Sequence, residues 1–182
     1  MNEQYELKIC GLTRNLKKVQ VAPNLVIASF VMLGDTQMIE KSADALFNKM
    51  KKIKEIEMLV CPEAKGIPLT HALAVRLGVD YVVARKSIKG YMENPITSEV
   101  RSITTNEKQI IVIDETDAAK LDGKRVCVVD DVVSTGGSLR SVEDVLAKTG
   151  CTVICKVAVL LEEGGYSGED LIYLQKLPVF PV

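Results

Sequence analysis

Val126-Cys127-Val128-Val129-Asp130-Asp131-Val132-Val133-Ser134-Thr135-Gly136-Gly137-Ser138 is an unbroken apolar run, two adjacent acids, and a loop of small residues that opens a helix. The apolar run predicts a strand buried on both faces, as in the middle of a parallel sheet. Gly136 and Gly137 let the backbone curl so that several N–H groups converge where the helix begins. The helix dipole and the hydroxyls of Ser134, Thr135 and Ser138 add to the attraction for an anion, which makes Ser134 to Ser138 a phosphate cradle. Asp130 and Asp131 fall at the carboxyl end of the strand, where open α/β sheets take their ligands, and carboxylates there accept hydrogen bonds from a vicinal diol. A ribose with a 5-phosphate meets both needs. The loop lacks the Gly-Lys-Ser/Thr ending of a P-loop and the GxGxxG spacing of a dinucleotide fold.

Outward from this block, short β-branched runs alternate with amphipathic stretches, which predicts an α/β fold with a central, mainly parallel sheet flanked by helices. Asp35 or Thr36 caps a helix whose apolar stripe is Ile39, Ala43, Leu46, Met50 and Ile53, leaving Lys41, Lys49, Lys51 and Lys52 in water. Glu57 to Cys61 reads as a buried strand ended by Pro62, and Pro68 suits the first turn of a helix that stops at Gly78. Tyr81 to Ala84 is the next strand, followed by a basic loop, Arg85 to Pro95. Ser98 to Thr104 and Lys108 to Asp114 predict an antiparallel hairpin able to act as a flap. After the quoted block come a helix from about Ser138 to Lys148 ending at Gly150, a buried strand Thr152 to Leu161, and a tail from Leu171 that suits an edge strand or closing segment.

The chain has 182 residues, which predicts one domain over 1–182. Lys and Arg total 23 against 24 for Asp and Glu, so no broad cationic field exists to hold a nucleic acid. No apolar run reaches the roughly 20 residues of a membrane span, and Met1 to Lys8 is too polar for a secretory signal, so the expected location is the cytoplasm. Cys10, Cys61, Cys127, Cys151 and Cys155 form no CxxC pair and are expected to be buried free thiols. His71, the only histidine, is expected to be structural.

The thirteen-residue block resembles the signature of type I phosphoribosyltransferases, and the resemblance runs from about residue 24 to residue 165. Within that family the chain resembles the purine group, the adenine phosphoribosyltransferases in particular. Glu63-Ala64-Lys65-Gly66 is similar to their pyrophosphate loop, where related proteins often hold a non-proline cis peptide. Arg85, Lys86 and Lys89 resemble the basic segment that reaches the pyrophosphate of phosphoribosyl pyrophosphate (PRPP), often from the neighbouring subunit. Glu162 and Glu163 stand where hypoxanthine-guanine enzymes carry a lysine, and a carboxylate suits an exocyclic amine better than a carbonyl. The flap has Thr104-Thr105 where adenine enzymes usually have Glu-Tyr, with Glu107 two residues on. In place of a Phe-Arg-Asp stretch the N-terminal region offers Ile27-Ala28-Ser29-Phe30.

The resemblance implies a type I phosphoribosyltransferase fold with a small hood at about 1–34 and a flexible flap at about 91–110. It implies transfer of the phosphoribosyl group of PRPP to a free purine, in a homodimer, with Mg²⁺ held through PRPP and water and no direct protein ligand. By role, Ser134, Thr135, Gly136, Gly137 and Ser138 take the 5-phosphate. Asp130 and Asp131 take the ribose hydroxyls and metal-bound water, with acid or base function left open. Ala64, Lys65, Gly66, Arg85, Lys86 and Lys89 take the pyrophosphate, and Ile27, Phe30 and Glu162 line the base pocket. A non-catalytic PRPP or nucleotide sensor on the same fold, and an enzyme for another base such as xanthine or orotate, remain open alternatives.

Overall fold

A computed structural model, describing residues 4–53, 55–101 and 108–181, divides the strands among a five-stranded parallel sheet, a four-stranded antiparallel sheet and a two-stranded hairpin. The chain begins with β1 (Gln4–Ile9), β2 (Leu12–Ala22) and β3 (Leu25–Ser29), followed by α1 (Thr36–Met50), β4 (Met58–Pro62), α2 (Ile67–Leu77) and β5 (Asp80–Ala84). The hairpin is β6 (Ile96–Arg101) and β7 (Lys108–Ile113). After α3 (Glu115–Leu121) come β8 (Arg125–Val133), α4 (Gly137–Leu146), β9 (Thr152–Glu162), β10 (Leu171–Leu177) and β11 (Val179–Pro181).

The large sheet has the order β10-β9-β8-β4-β5, with every pairing parallel. Its centre carries two faces of apolar side chains, as the unbroken run predicts. Along β8, Cys127 and Val129 join one buried cluster while Val126 and Val128 join the other, and β4 divides Leu59 and Cys61 from Met58 and Val60 in the same way. The first cluster also contains Met38, Ala43 and Leu46 of α1 and Leu69 and Leu73 of α2, and the second contains Leu121 of α3 and Leu139, Val142 and Val145 of α4. Helices therefore cover both faces, the arrangement that parallel strands require.

The helix boundaries follow their sequence signals. Asp35 caps α1, its carboxylate accepting the Met38 N–H at 3.1 Å, and Ile39, Ala43, Leu46 and Met50 are buried. Pro68 sits in the first turn of α2, and Gly78 ends it at φ 69° with its N–H donating to the Ala74 carbonyl. Two elements lie outside the sequence expectation. The helix α3 is only seven residues long, with Asp114 before it and Glu115 and Asp117 in its first turn. The N-terminal segment forms β1 to β3, joined by β11 in the order β1-β2-β3-β11. The tail thus fills both of its expected roles, since β10 is an edge strand of the large sheet and β11 closes the small one.

The cysteines are free, but only Cys61, Cys127 and Cys155 are buried. Cys10 and Cys151 are half-buried, which corrects the expectation of five buried thiols. Cys10 occupies the β1–β2 turn with Gly11, at φ 53° and 73°, a two-residue turn with both central residues left-handed that keeps its side chain near the surface. Among the described residues, no helix is long and apolar enough to cross a membrane.

Asp35 also accepts from Arg14 of β2, at 2.6 and 3.1 Å, and so joins the small sheet to the first turn of α1. The Arg14 guanidinium and, less strongly, the Met38 N–H hold the Asp35 carboxyl below the ordinary carboxylate range. Asp35→Ala is expected to cost about 1–2 kcal/mol at neutral pH, mostly the lost cap because the ion pair is partly exposed. Stability from a lowered carboxyl pKa is present above the unfolded value and lost as pH falls through the folded one. Thermal melts should therefore show the wild-type advantage at pH 7 shrinking below pH 4.

Candidate active site

At the carboxyl end of β8 the chain buries two carboxyl groups side by side, Asp130 at 7% exposure and Asp131 at 6%. Asp130 Oδ1 accepts the Asp131 backbone N–H at 2.9 Å. Asp131 Oδ2 is buried with no hydrogen-bond partner among the described residues. An acceptor left unpaired in a dry place costs about 1–3 kcal/mol, so its retention at a sheet edge points to a donor brought by a ligand. Burial, and next the Asp131 carboxylate, push the Asp130 carboxyl well above the ordinary carboxylate range, and the nearby Lys86 charge opposes the shift.

The next residues form the loop that the sequence predicts. Gly136 adopts φ 78° and caps α4, and no side chain hydrogen-bonds to the cap. The Arg140 N–H donates to Gly136 O as the first helical bond, so the N–H groups of the turn before it have no partner within the helix. Gly136 is buried, while Ser134, Thr135 and Ser138 are exposed. Three hydroxyl-bearing residues thus meet solvent just after the acid pair.

The loop after β4 reaches the same place. Gly66 packs against β8 so closely that a Cβ there would stand 3.4 Å from Asp130 Cα and 3.6 Å from Asp131 N. The Glu63–Ala64 peptide is cis, as the resemblance implies. Glu63 ties this loop to the basic one: its N–H donates to Ala84 O at 2.8 Å, and its carboxylate accepts the Lys86 N–H at 3.0 Å and Arg85 Nη1 at 3.4 Å. These bonds, led by the Lys86 N–H, hold the Glu63 carboxyl below its ordinary range. Arg85 is pinned from its other side by reciprocal 2.8 Å backbone bonds to Val112 of β7. Lys65 and Lys86 are exposed, while Lys89 Nζ turns to Ser87 Oγ at 2.7 Å. In the sequence Glu63 is only part of a tetrapeptide; its coupling role arises from the pairing of β4 with β5, which brings the two loops together.

Other candidates are more scattered. Glu162 ends β9 half-buried, and burial pushes its carboxyl up. Ile27 is half-buried in β3, whereas Phe30 is 5% exposed inside the core cluster. His71 is exposed on α2 and meets the Tyr81 ring edge-on at 5.8 Å, a packing contact. The hairpin expected from the sequence is formed by β6 and β7, while Thr104, Thr105 and Glu107 lie outside the described residues. Among the described residues, no group of three or more His, Cys, Asp or Glu side chains is placed to hold a metal.

The model of the phosphoribosyl transferase domain family matches residues 32–178. The chain belongs to the phosphoribosyltransferase family. A hypoxanthine/guanine phosphoribosyltransferase of Methanothermus fervidus is 32% identical over 130 residues, 71% of this chain and 65% of that protein's length. An adenine phosphoribosyltransferase of Leuconostoc citreum is 27% identical over 141 residues, 78% of this chain and 76% of the relative. Among solved structures, the adenine phosphoribosyltransferase of Thermoanaerobacter pseudethanolicus superposes with a TM-score of 0.70 at 24% identity, covering 88% of this chain and 95% of that one. The five-stranded parallel sheet between helices is therefore the type I phosphoribosyltransferase fold.

Within this pair, the buried Asp130 carboxyl opposes the stability of the fold. A carboxyl whose folded pKa is raised binds more protons folded than unfolded, so stability falls as pH rises from the unfolded pKa towards the folded one. Asp130→Asn keeps an oxygen for the Asp131 N–H while removing the charge. The variant should melt above wild type at pH 7.5, with the gain vanishing near pH 4; a gain independent of pH would show that charge is not its cause.

Proposed function

We propose that the whole chain works as one catalytic unit that joins a free purine to the phosphoribosyl group of PRPP, releasing pyrophosphate and a nucleoside 5′-monophosphate. The observation that carries this reading is the unpaired, buried Asp131 Oδ2 beside the Ser134 to Ser138 loop. It is an acceptor for a ribose hydroxyl placed next to donors for a 5-phosphate. In this assignment Ser134, Thr135, Gly136, Gly137 and Ser138 hold the 5-phosphate and Asp130 and Asp131 the ribose diol. Ala64, Lys65, Gly66, Arg85, Lys86 and Lys89 receive the pyrophosphate, with Glu63 holding their two loops together.

The bond from ribose C1′ to pyrophosphate oxygen breaks as the bond from C1′ to a purine ring nitrogen forms, and the base's ring N–H proton is released to the leaving pyrophosphate or to solvent. Charge separates between a ribosyl cation and the leaving group, so the protein's contribution is alignment and electrostatic stabilisation. The acid pair suits Mg²⁺ held through water and the substrate's own oxygens, where the ion would neutralise charge on the pyrophosphate. The hairpin of β6 and β7, which overlaps the flap expected at about 91–110, serves to exclude water, and the segment 1–34 serves as a hood over the base, with Ile27 lining it and Phe30 backing it from the core. A cytoplasmic homodimer completes the reading.

For the base, the half-buried Glu162 favours a purine with an exocyclic amine, hence adenine. A hypoxanthine or guanine enzyme is the second reading, favoured by the 32% identity to the Methanothermus protein. The deciding experiment is pyrophosphate release from PRPP and Mg²⁺ with adenine, hypoxanthine, guanine, xanthine and orotate offered separately. Turnover with adenine alone is the expected result, and turnover only with an oxopurine would move the assignment to the second reading. PRPP binding without turnover on any base would make the chain a sensor. Asp130→Asn combined with Asp131→Asn should lower kcat/KM by about a hundredfold or more, the scale of losing preorganised charge at a reacting centre; full activity in that variant would end the proposal.

A further inference from the structure

We infer that the segment Gly164 to Asp170, locked by Lys156, is an outer brace that aims the phosphate loop, with Tyr166 as its positioning residue. The inference rests on the reading of Ser134 to Ser138 as a 5-phosphate site. The Tyr166 N–H donates to the Ser134 carbonyl at 2.7 Å. In a trans peptide the C=O and the following N–H point in opposite directions, so fixing Ser134 O against the brace turns the Thr135 N–H away from it, into the loop's other side. A single backbone bond from outside the loop thereby orients one of the donors that face the ligand.

Two glycines show how closely the brace is fitted. A Cβ on Gly165 would collide with the Ser134 carbonyl oxygen, and a Cβ on Gly136 would collide with the Tyr166 ring. The Tyr166 ring therefore fills the space beside the left-handed residue of the loop and limits how far that loop can relax. The ring itself is fixed at its far end. Tyr166 Oη donates to Asp170 Oδ1 at 2.7 Å and accepts from Lys156 Nζ at 3.2 Å. Lys156 Nζ also meets Asp170 Oδ2 and Glu143 Oε1, each at 2.7 Å.

Lys156 is unusual for its setting, a cation with 8% side-chain exposure in the middle of β9. Its three N–H bonds go to three partners on two elements: Glu143 of α4, whose N-terminus is the phosphate loop, and Tyr166 and Asp170 of the brace. A buried cation with every donor satisfied is a rigid junction, because breaking any one contact leaves a charge poorly solvated. The junction ties the helix that follows the cradle to the segment that holds the cradle's carbonyl.

The test is calorimetric binding of ribose 5-phosphate, together with KM for PRPP, KM for the base and kcat, in Gly165→Ala, Tyr166→Phe, Lys156→Met and Lys156→Arg proteins. Gly165→Ala should weaken ribose 5-phosphate binding about tenfold, the worth of one well-placed hydrogen bond, and raise KM for PRPP alike. KM for the base and kcat should stay within about twofold of wild type, a split that general destabilisation would not produce. Tyr166→Phe should show a smaller loss of the same kind, and Lys156→Arg should recover part of what Lys156→Met loses. Wild-type affinity in a folded Gly165→Ala or, should that protein not fold, in Lys156→Met overturns the brace; so does an equal loss towards both substrates. A wild-type protein that does not bind ribose 5-phosphate overturns the phosphate-site reading, and the brace falls with it.

Discussion

The parallel pairing of β8 between β4 and β9 is the constraint on which the rest of the molecule depends. Because all five strands of the large sheet run the same way, their carboxyl ends lie along one edge. The loops after β4, β5, β8 and β9 are delivered there whatever their sequences. The registers set the spacing: Leu59 stands beside Cys127 and Cys127 beside Cys155, so the Glu63 loop and the acid pair begin at nearly one level, and the brace starts beyond it, after the end of β9. The fit at that level is close, as Gly66 against the Asp130 backbone shows.

Charge at this edge is divided between two kinds of carboxylate. Glu63 is stabilised in its ionised form by a backbone N–H and by cations on the neighbouring loop, and works as a permanent tether. Asp130 is opposed in its ionised form by burial and by Asp131, and the Asp131 oxygen beside it has no partner among the described residues. The first is a structural acid and the second a site held at some expense to the fold, the pattern expected where a ligand supplies the missing donors and countercharge. Acidic residues at the ends of adjacent strands thus differ in role through their surroundings alone.

The sequence made the parallel sheet, the capped helices and the glycine turn before α4 legible because each rests on local signals. The apolar run of β8, Asp35 before α1, Pro68 and Gly78 around α2, and Gly136-Gly137 ahead of α4 each act within a few residues of themselves. The short helix α3 escaped because seven residues provide too little periodicity to stand out from a loop, although Asp114 and the acidic turn after it are a capping signal. The small sheet escaped for another reason. Its strands β1 and β2 are half polar, and its closing strand β11 comes from the other end of the chain, so its hydrophobic logic exists only after folding. Long-range side-chain partnerships were equally invisible. Glu63 reaches Lys86 across 23 positions, and Lys156 joins α4 to the segment after β9.

These partnerships give the two ends of the site different mechanical character. At the end proposed to take the 5-phosphate, a buried cation with satisfied donors, a packed ring and glycines with no room for a Cβ leave little freedom to lose when a ligand arrives. At the end proposed to take the pyrophosphate, Lys65 and Lys86 are exposed side chains with rotamers still to be ordered, and Lys89 Nζ spends one of its three donors on Ser87. Ordering such a side chain costs about 0.5–1.5 kcal/mol, whereas a preorganised cradle avoids that cost. The rigid end is therefore suited to recognise the part of the substrate that does not react, and the adaptable end to follow the part whose charge grows as the bond breaks. In the proposed reaction, binding energy collected at the fixed phosphate would position C1′ while the exposed cations strengthen their hold as pyrophosphate departs, the differential binding on which rate acceleration depends.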